Sequence, residues 1–350
     1  MPQTFLFIKW EEMIMKEWTI LGNCLKGGEK LQTVLRVPMG GIENAAKVEG
    51  FDHDGSYEIP ATLICGAGEG KTVLVSASIH NGEYNGVPAV IRAAKAIDPA
   101  KLSGNIIFMH CVNYSGFRTH CYRLVAEDGY NLNAGYPGDE NGTAGQRIQA
   151  WFVKEIFPNV DFVFDLHGGG AEEMMTPLIF WPHHEPVREE ALAAAKATNV
   201  GFLIESHADN GEYSYFVHGF DKPAMLLERG CGVFCTEEEI KADYDDIRLL
   251  LDHFGMYPAE DVVYDTALKR RVFHKTIYLE AEREGLWYPA VSCGSVVKKG
   301  ESLGRLEDIF GNFIREYPAE DDCYVLYYTQ ALALKPGDAM VAYGLLSSED

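Results

Sequence analysis

His80 and Glu83 stand three positions apart in Leu74-Val-Ser-Ala-Ser-Ile-His80-Asn-Gly-Glu83-Tyr-Asn-Gly-Val-Pro88. The apolar run Val73–Val75 reads as a buried strand, and Pro88 suits the first turn of a helix. The pair therefore sits where a strand gives way to a helix, the carboxyl end at which open α/β sheets bind ligands. Imidazole nitrogen and carboxylate oxygen both suit zinc, and a tight turn can aim them at one point. A second imidazole follows the apolar run Phe162–Phe164 in Asp165-Leu-His167-Gly-Gly-Gly170. His80, Glu83 and His167 make two close ligands and one distant one. Three protein ligands leave a fourth zinc position for water, the mark of a catalytic rather than a structural site. A lone His-x-x-Glu is common by chance, and Asp165 with His167 alone could be a buried pair closing a strand. Their joint placement at strand ends carries the weight.

A third strand end carries Pro223-Ala-Met-Leu-Leu-Glu228-Arg-Gly230. A carboxylate straight after four apolar residues is costly unless it has a partner or a task. The bland reading is a salt bridge to Arg229; the functional one is a general base or acid, its pKa adjusted by burial. Between the first two sites, residues 113–138 are polar and glycine-rich and read as a long loop. It carries Arg118 and Arg123, either of which could bind a carboxylate or a developing oxyanion, or simply brace the loop.

These residues need a scaffold of alternating strands and helices. Strands are expected at Val73–Ser78, Ile106–Val112, Phe162–Leu166 and Ala224–Leu227. Helices are expected at Pro88–Ile97, Thr143–Phe157 and Pro186–Thr198, with another after a capping box at Thr236 that ends at Gly255. Residues 31–65 hold further short β-like runs. Such alternation implies an α/β fold, a mixed and mostly parallel sheet flanked by helices. After about residue 265 helical periods vanish. There Val297-Lys-Lys-Gly300-Glu-Ser-Leu303 and Leu334-Lys-Pro-Gly337-Asp-Ala-Met340 repeat one pattern. A doubled unit suggests a small all-β barrel or sandwich built from two related halves. It resembles the biotinyl/lipoyl type, which carries its cofactor on a lysine at a hairpin tip. The matching Glu307-Asp-Ile-Phe310-Gly311 has no lysine, which argues against a carrier role. The expected division is an N-terminal extension at 1–18, a catalytic domain at 19–264 and a β-rich domain at 265–350.

The chain has 350 residues, 47% of them hydrophobic, which suffices for a large core. Its formal charge of −22 argues against nucleic acid and anionic membrane as partners. Phe5–Ile8 is too short for a secretory signal, and no apolar run approaches a membrane span. The eight cysteines are scattered, which fits reduced thiols and a cytoplasmic location. Cys231 and Cys235 lack a second pair with zinc-finger spacing and read as structural.

The order of motifs is itself informative. His80-x-x-Glu83, then Asp128-Gly-x-Asn131-Leu-Asn133-x-x-x-Pro137-Gly138, then Asp165-Leu-His167, then Pro223-Ala-x-x-x-Glu228-x-Gly230 resembles the succinylglutamate desuccinylase/aspartoacylase family of zinc carboxypeptidase-like hydrolases. The resemblance spans roughly residues 40–345. It implies one Zn²⁺ per chain on His80, Glu83 and His167, and Glu228 as general base and acid. It also implies Arg123 at the oxyanion and Asn133 at the substrate. Two positions depart from the family pattern. Ala134 stands where an arginine usually grips a substrate carboxylate, and Asn81 stands where glycine is usual. Arg118 is a candidate to replace the missing cation.

The expected activity is zinc-dependent hydrolysis of the amide bond of an N-acylated amino acid or related small N-acyl amine. Two alternatives stay open: a zinc carboxypeptidase acting on short peptides, and a metal-binding protein that has lost catalysis. The acyl group, the amine half and homo-oligomer formation are left undecided.

Overall fold

The structure, a computed structural model, describes residues 16–40 and 55–346. Residues 1–15, with Phe5–Ile8 and most of the expected N-terminal extension, lie outside the described residues, as do 41–54 and 347–350. The chain opens with a hairpin, β1 (Glu17–Ile20) and β2 (Asn23–Lys26), followed by β3 (Glu29–Pro38) and β4 (Ser56–Cys65). Next come β5 (Gly68–Ala77), α1 (Gly86–Ala96), β6 (Ser103–Met109), α2 (Tyr114–Thr119) and α3 (Ala144–Trp151). Then follow β7 (Phe162–His167), β8 (Glu173–Met175), β9 (Leu178–Pro182), α4 (Arg188–Lys196) and β10 (Phe202–Ser206). The elements α5 (Glu212–Phe220), β11 (Ala224–Glu228), α6 (Glu237–His253) and β12 (Arg271–Phe273) complete this part.

Nine of these strands form one sheet in the order β12-β10-β9-β11-β7-β5-β6-β4-β3. Most neighbours are parallel; β9 against β11, β6 against β4 and β4 against β3 are antiparallel. The mixed, mostly parallel sheet expected from the sequence is therefore present. Side chains alternate between its two covered faces. Leu74 and Val163 pack beneath Ile148 of α3 and Phe216 of α5. Val73, Val75, Phe162 and Phe164 pack beneath α1, α4 and α6 on the other side. Burial on both faces explains why the central strands are near-continuous apolar runs.

Three differences from expectation have local causes. The strand sought at 106–112 lies earlier, because Asn105 enters the ladder and its Nδ2 donates to Thr72 Oγ1 at 3.1 Å. The helix sought at 143–157 becomes a π turn at Phe152–Ile156, next to Pro158, which has no N–H to continue the pattern. Residues 113–138 are not all loop: Asn113 Oδ1 accepts from Gly116 N and starts the short α2.

The C-terminal strands are β13 (Thr276–Glu280), β14 (Gly285–Pro289), β15 (Val296–Val297), β16 (Ser302–Glu307), β17 (Phe313–Pro318), β18 (Cys323–Thr329), β19 (Ala333–Leu334) and β20 (Ala339–Leu345). They build two antiparallel sheets around Trp287, Leu306, Val325 and Tyr343. The doubled motif is one turn used twice. Lys298 N donates to Glu301 Oε2 at 2.8 Å and Lys335 N to Asp338 Oδ2 at 2.9 Å. Gly300 and Gly337 each take a left-handed backbone, φ 84° and 86°, which glycine adopts without a Cβ clash. β8, from the α/β part, pairs antiparallel with β18 in register Met175↔Tyr327. All eight cysteines are free thiols. Among the described residues, no helix is long and apolar enough to cross a membrane.

Candidate active site

β5, β7 and β11 run parallel and side by side, so their carboxyl ends present His80, His167 and Glu228 along one edge. Glu228 stands directly opposite His167 in the β7–β11 register. After β5 the chain turns sharply at Ser78, whose φ of 62° is left-handed, and this brings His80 and Glu83 back over the strand end. Gly168 and Gly169 after His167 allow close backbone packing. A Cβ on Gly168 would lie 2.3 Å from the Arg229 carbonyl oxygen.

His80, Glu83 and His167 are all buried, and their donor atoms lie within 4.8 Å of one another. Glu83 sits between the imidazoles: Oε1 is 2.8 Å from His80 Nδ1 and Oε2 is 2.9 Å from His167 Nδ1. The far ring nitrogens are also held. His80 Nε2 is 3.0 Å from Asn131 Oδ1, and His167 Nε2 is 2.9 Å from Asp165 Oδ2. An oxygen on the far nitrogen is the arrangement that orients metal-ligating histidines. The donor set and its outer partners fit a divalent cation at the two Nδ1 atoms and Glu83.

Electrostatics agree with that fit. Burial works to raise the Glu83 carboxyl, but His80 and His167 outweigh it and hold it well below the usual range. Burial works to lower His167, but Asp165 and Glu83 outweigh it and raise it well above the imidazole range. The surroundings thus favour positive charge at this point. Behind it lies a second carboxylate pair. Ser76 Oγ is 3.0 Å from Asp165 Oδ1 and 3.1 Å from Glu212 Oε1, with Glu212 at the first turn of α5. Burial, then Asp165, raises the Glu212 carboxyl well above its ordinary value.

Glu228 is not paired with Arg229. That guanidinium turns away to α6, where it meets Asp243 at 2.5 Å and Asp246 at 2.6 Å. Glu228 Oε2 is buried and has no hydrogen-bond partner among the described residues. Burial, then the charge of Glu83, raises its carboxyl well above the usual range. A cavity of about 340 Å³ reaches the metal-ligand cluster at Glu83; it is also lined by Arg123 and walled from the C-terminal part by Thr329, Leu334, Lys335 and Asp338, while Glu228 is not part of its lining.

Arg123 lies in this cavity with a left-handed backbone, φ 67°. Its N–H donates to Asn81 Oδ1 at 2.9 Å, and Asn81 Nδ2 donates to the carbonyls of Cys121 and Leu124. The unusual Asn81 is therefore a staple for the turn that presents Arg123. The Arg123 guanidinium is 3.7 Å from Glu173 Oε1. Asn133 Oδ1 accepts from Glu212 N at 2.9 Å, so this oxygen caps α5. Arg118 stands on α2 over the Tyr114 ring and does not line the cavity. That Glu172, Glu173, Lys335 and Asp338 share a wall was not legible from local sequence, since the long-range β8–β18 pairing brings them together.

The model of the succinylglutamate desuccinylase/aspartoacylase catalytic domain matches residues 69–254, more than half the chain. The chain belongs to that family. A relative in the curated set, the N-alpha-acetyl-L-2,4-diaminobutyric acid deacetylase of Halomonas elongata, is 27% identical over 77% of this chain and 80% of its own. The product-bound ectoine utilization protein of Ruegeria pomeroyi superposes with a TM-score of 0.80 at 23% identity, covering 95% of this chain and 98% of that one. The Rhodobacter sphaeroides family member superposes at 0.79 and 24% identity, covering 91% and 96%. Membership in the succinylglutamate desuccinylase/aspartoacylase family makes the chain a deacylase-type hydrolase of carbon–nitrogen bonds.

Proposed function

We propose that the chain is a zinc-dependent deacylase that cleaves the amide of an N-acylated amino acid carrying a second, cationic amine. The observation that carries this reading is the buried His80–Glu83–His167 cluster with an unpartnered Glu228 carboxylate beside it. His80 and His167, through Nδ1, and Glu83 would hold the zinc. When bound there, the ion supplies Lewis acidity, acidifying a water and polarising the amide carbonyl. Glu228 takes the proton from the attacking water and returns it to the leaving nitrogen. Arg123, presented by the Asn81 staple, binds the oxygen on which negative charge develops. Asn133 donates from Nδ2 to the substrate while its Oδ1 stays on α5.

The amine preference rests on charge. Ala134 offers neither cation nor donor, so a substrate carboxylate there would be desolvated with little compensation. Apart from Glu83, the cavity wall carries Glu172, Glu173 and Asp338 against Arg123 and Lys335. Arg123 and Lys335 each already face a carboxylate, Glu173 and Asp338. The Halomonas relative is named for an acetylated diamino acid, a substrate of this charge type.

The test is zinc content together with kcat/KM on N-acetyl diamino acids, neutral N-acyl amino acids, N-acetylaspartate, N-succinylglutamate and dipeptides. We expect one catalytic zinc and at least a tenfold preference, about 1.4 kcal/mol, for the diamino compounds over the two acidic ones. Ala134→Arg should narrow that gap. A wild-type preference for the acidic pair overturns the amine reading. Zinc binding without turnover on any amide overturns the deacylase reading.

A further inference from the structure

Five of the eleven histidines, His183, His184, His207, His218 and His274, gather away from the site just described. Topology explains where. β9, β10 and β12 are parallel to one another, but β9 is antiparallel to β11. Their carboxyl ends therefore open on the sheet edge opposite to His80, His167 and Glu228. β9 delivers His183, β10 delivers Glu205 and His207, and β12 delivers His274. The backbone ties the first two together, since His183 N donates to Ser206 O at 2.8 Å.

We propose that His183, Glu205 and His207 form a second divalent-cation site, of the zinc type, on this opposite edge. Their donor atoms lie within 4.8 Å of one another, as in the first cluster. The donor set is again two imidazoles and one carboxylate. His183 Nδ1 is 2.8 Å from Glu205 Oε1, and the His183 and His207 rings are 4.3 Å apart, centre to centre. Glu205 is a buried carboxylate reaching out between exposed imidazoles, with His274 Nδ1 bonded to its other oxygen. That is the place of an outer partner that orients a ligand. Burial works to raise Glu205, but the His183 and His274 bonds and Arg188 hold it below the usual range, so it is ionised. Arg188 Nε also bonds Glu205 Oε1 at 2.9 Å while its guanidinium lies over Trp181. This fixed cation competes for the same carboxylate, so binding is weaker than at the first site. A bound ion would pin two chain segments and, through Glu205 and His274, the edge strand β12.

The experiment is equilibrium dialysis of the metal-stripped full chain against Zn²⁺, counting ions per chain, with circular dichroism to confirm folding. Wild type should bind two ions, and His183→Ala/His207→Ala should bind one. That double variant should keep wild-type turnover, and its melting temperature should lose the upper part of the zinc-induced rise. A wild-type count of one, or a count unchanged by the double variant, overturns the proposal. Because both side chains are exposed, loss of folding is not expected; a second variant, His207→Gln, repeats the count with less change of volume.

Discussion

The two His-Glu-His groupings occupy opposite edges of one sheet and share a donor set, yet differ in what surrounds them. Around His80 and His167 every far nitrogen meets an oxygen, from Asn131 or Asp165, and Ser76 and Glu212 continue the network inward. Around His183 and His207 the rings stand in solvent and a fixed arginine leans on the shared carboxylate. Both bring their donor atoms within 4.8 Å of one another, but the rings of the first are buried and those of the second are exposed. The first stands next to the cavity lined by Glu83 and Arg123, and to a buried Glu228 oxygen with no hydrogen-bond partner among the described residues. Ligand identity alone therefore does not make a reaction centre; enclosure and outer hydrogen bonds do.

The comparison breaks most sharply on the ligands. His80→Ala or His167→Ala should abolish measurable amide hydrolysis and remove the first metal, while His207→Ala changes kcat/KM less than about twofold. Equal losses at both edges would mean that the second grouping serves the reaction. Next in size is Glu228→Gln, which should keep zinc and fold but lower kcat by ~10²–10⁴. Near wild-type turnover would make Glu228 a structural carboxylate. Asn131→Ala tests preorganisation itself. Removing an outer partner should weaken metal affinity by roughly 10–100-fold, read by competition with a chelating dye. An unchanged affinity would show that burial alone orients His80.

The smallest effect is on stability. Glu212 is raised by burial and by Asp165, so its ionisation is costlier in the folded than in the unfolded chain. Its stability contribution is undiminished below the unfolded value, near ~4.3. It declines as pH rises from there toward the folded value, by up to about 1.4 kcal/mol per pH unit. Glu212→Gln removes that decline, so denaturation of metal-stripped protein should show a gap in the variant's favour that widens from acid to neutral pH. A gap that does not vary with pH would place a charged Glu212 in the fold.

What could be read from sequence follows from what is local. Apolar runs ending in His80, His167 and Glu228 marked three strand ends, and parallel pairing of those strands was enough to unite them. The helix at Thr236 was legible because Thr236 Oγ1 accepts from Glu239 N within one turn. The partner of Arg229 was not, because Asp243 and Asp246 reach it only through packing of α6. Nor was the second grouping, although Trp181-Pro-His-His184 and Glu205-Ser-His207 each follow an apolar run. Its signal lay in strands whose direction reverses between β11 and β9, which spacing does not reveal. The cavity wall from Thr329 to Asp338 depends on a long-range register that no local pattern encodes.

That register sets a timetable for the newborn protein. β8 leaves the ribosome about 150 residues before its partner β18, a delay of roughly 8–30 s at ordinary synthesis rates. Through that interval its backbone donors and acceptors have no ladder from β18, and the histidine pair at the strand ends lacks its far wall. Filling the site can precede enclosing it. The cavity wall is completed only as the last strands emerge, so a chain cut short before Tyr327 would keep Glu83 and Arg123 but lack the side formed by Thr329, Leu334, Lys335 and Asp338.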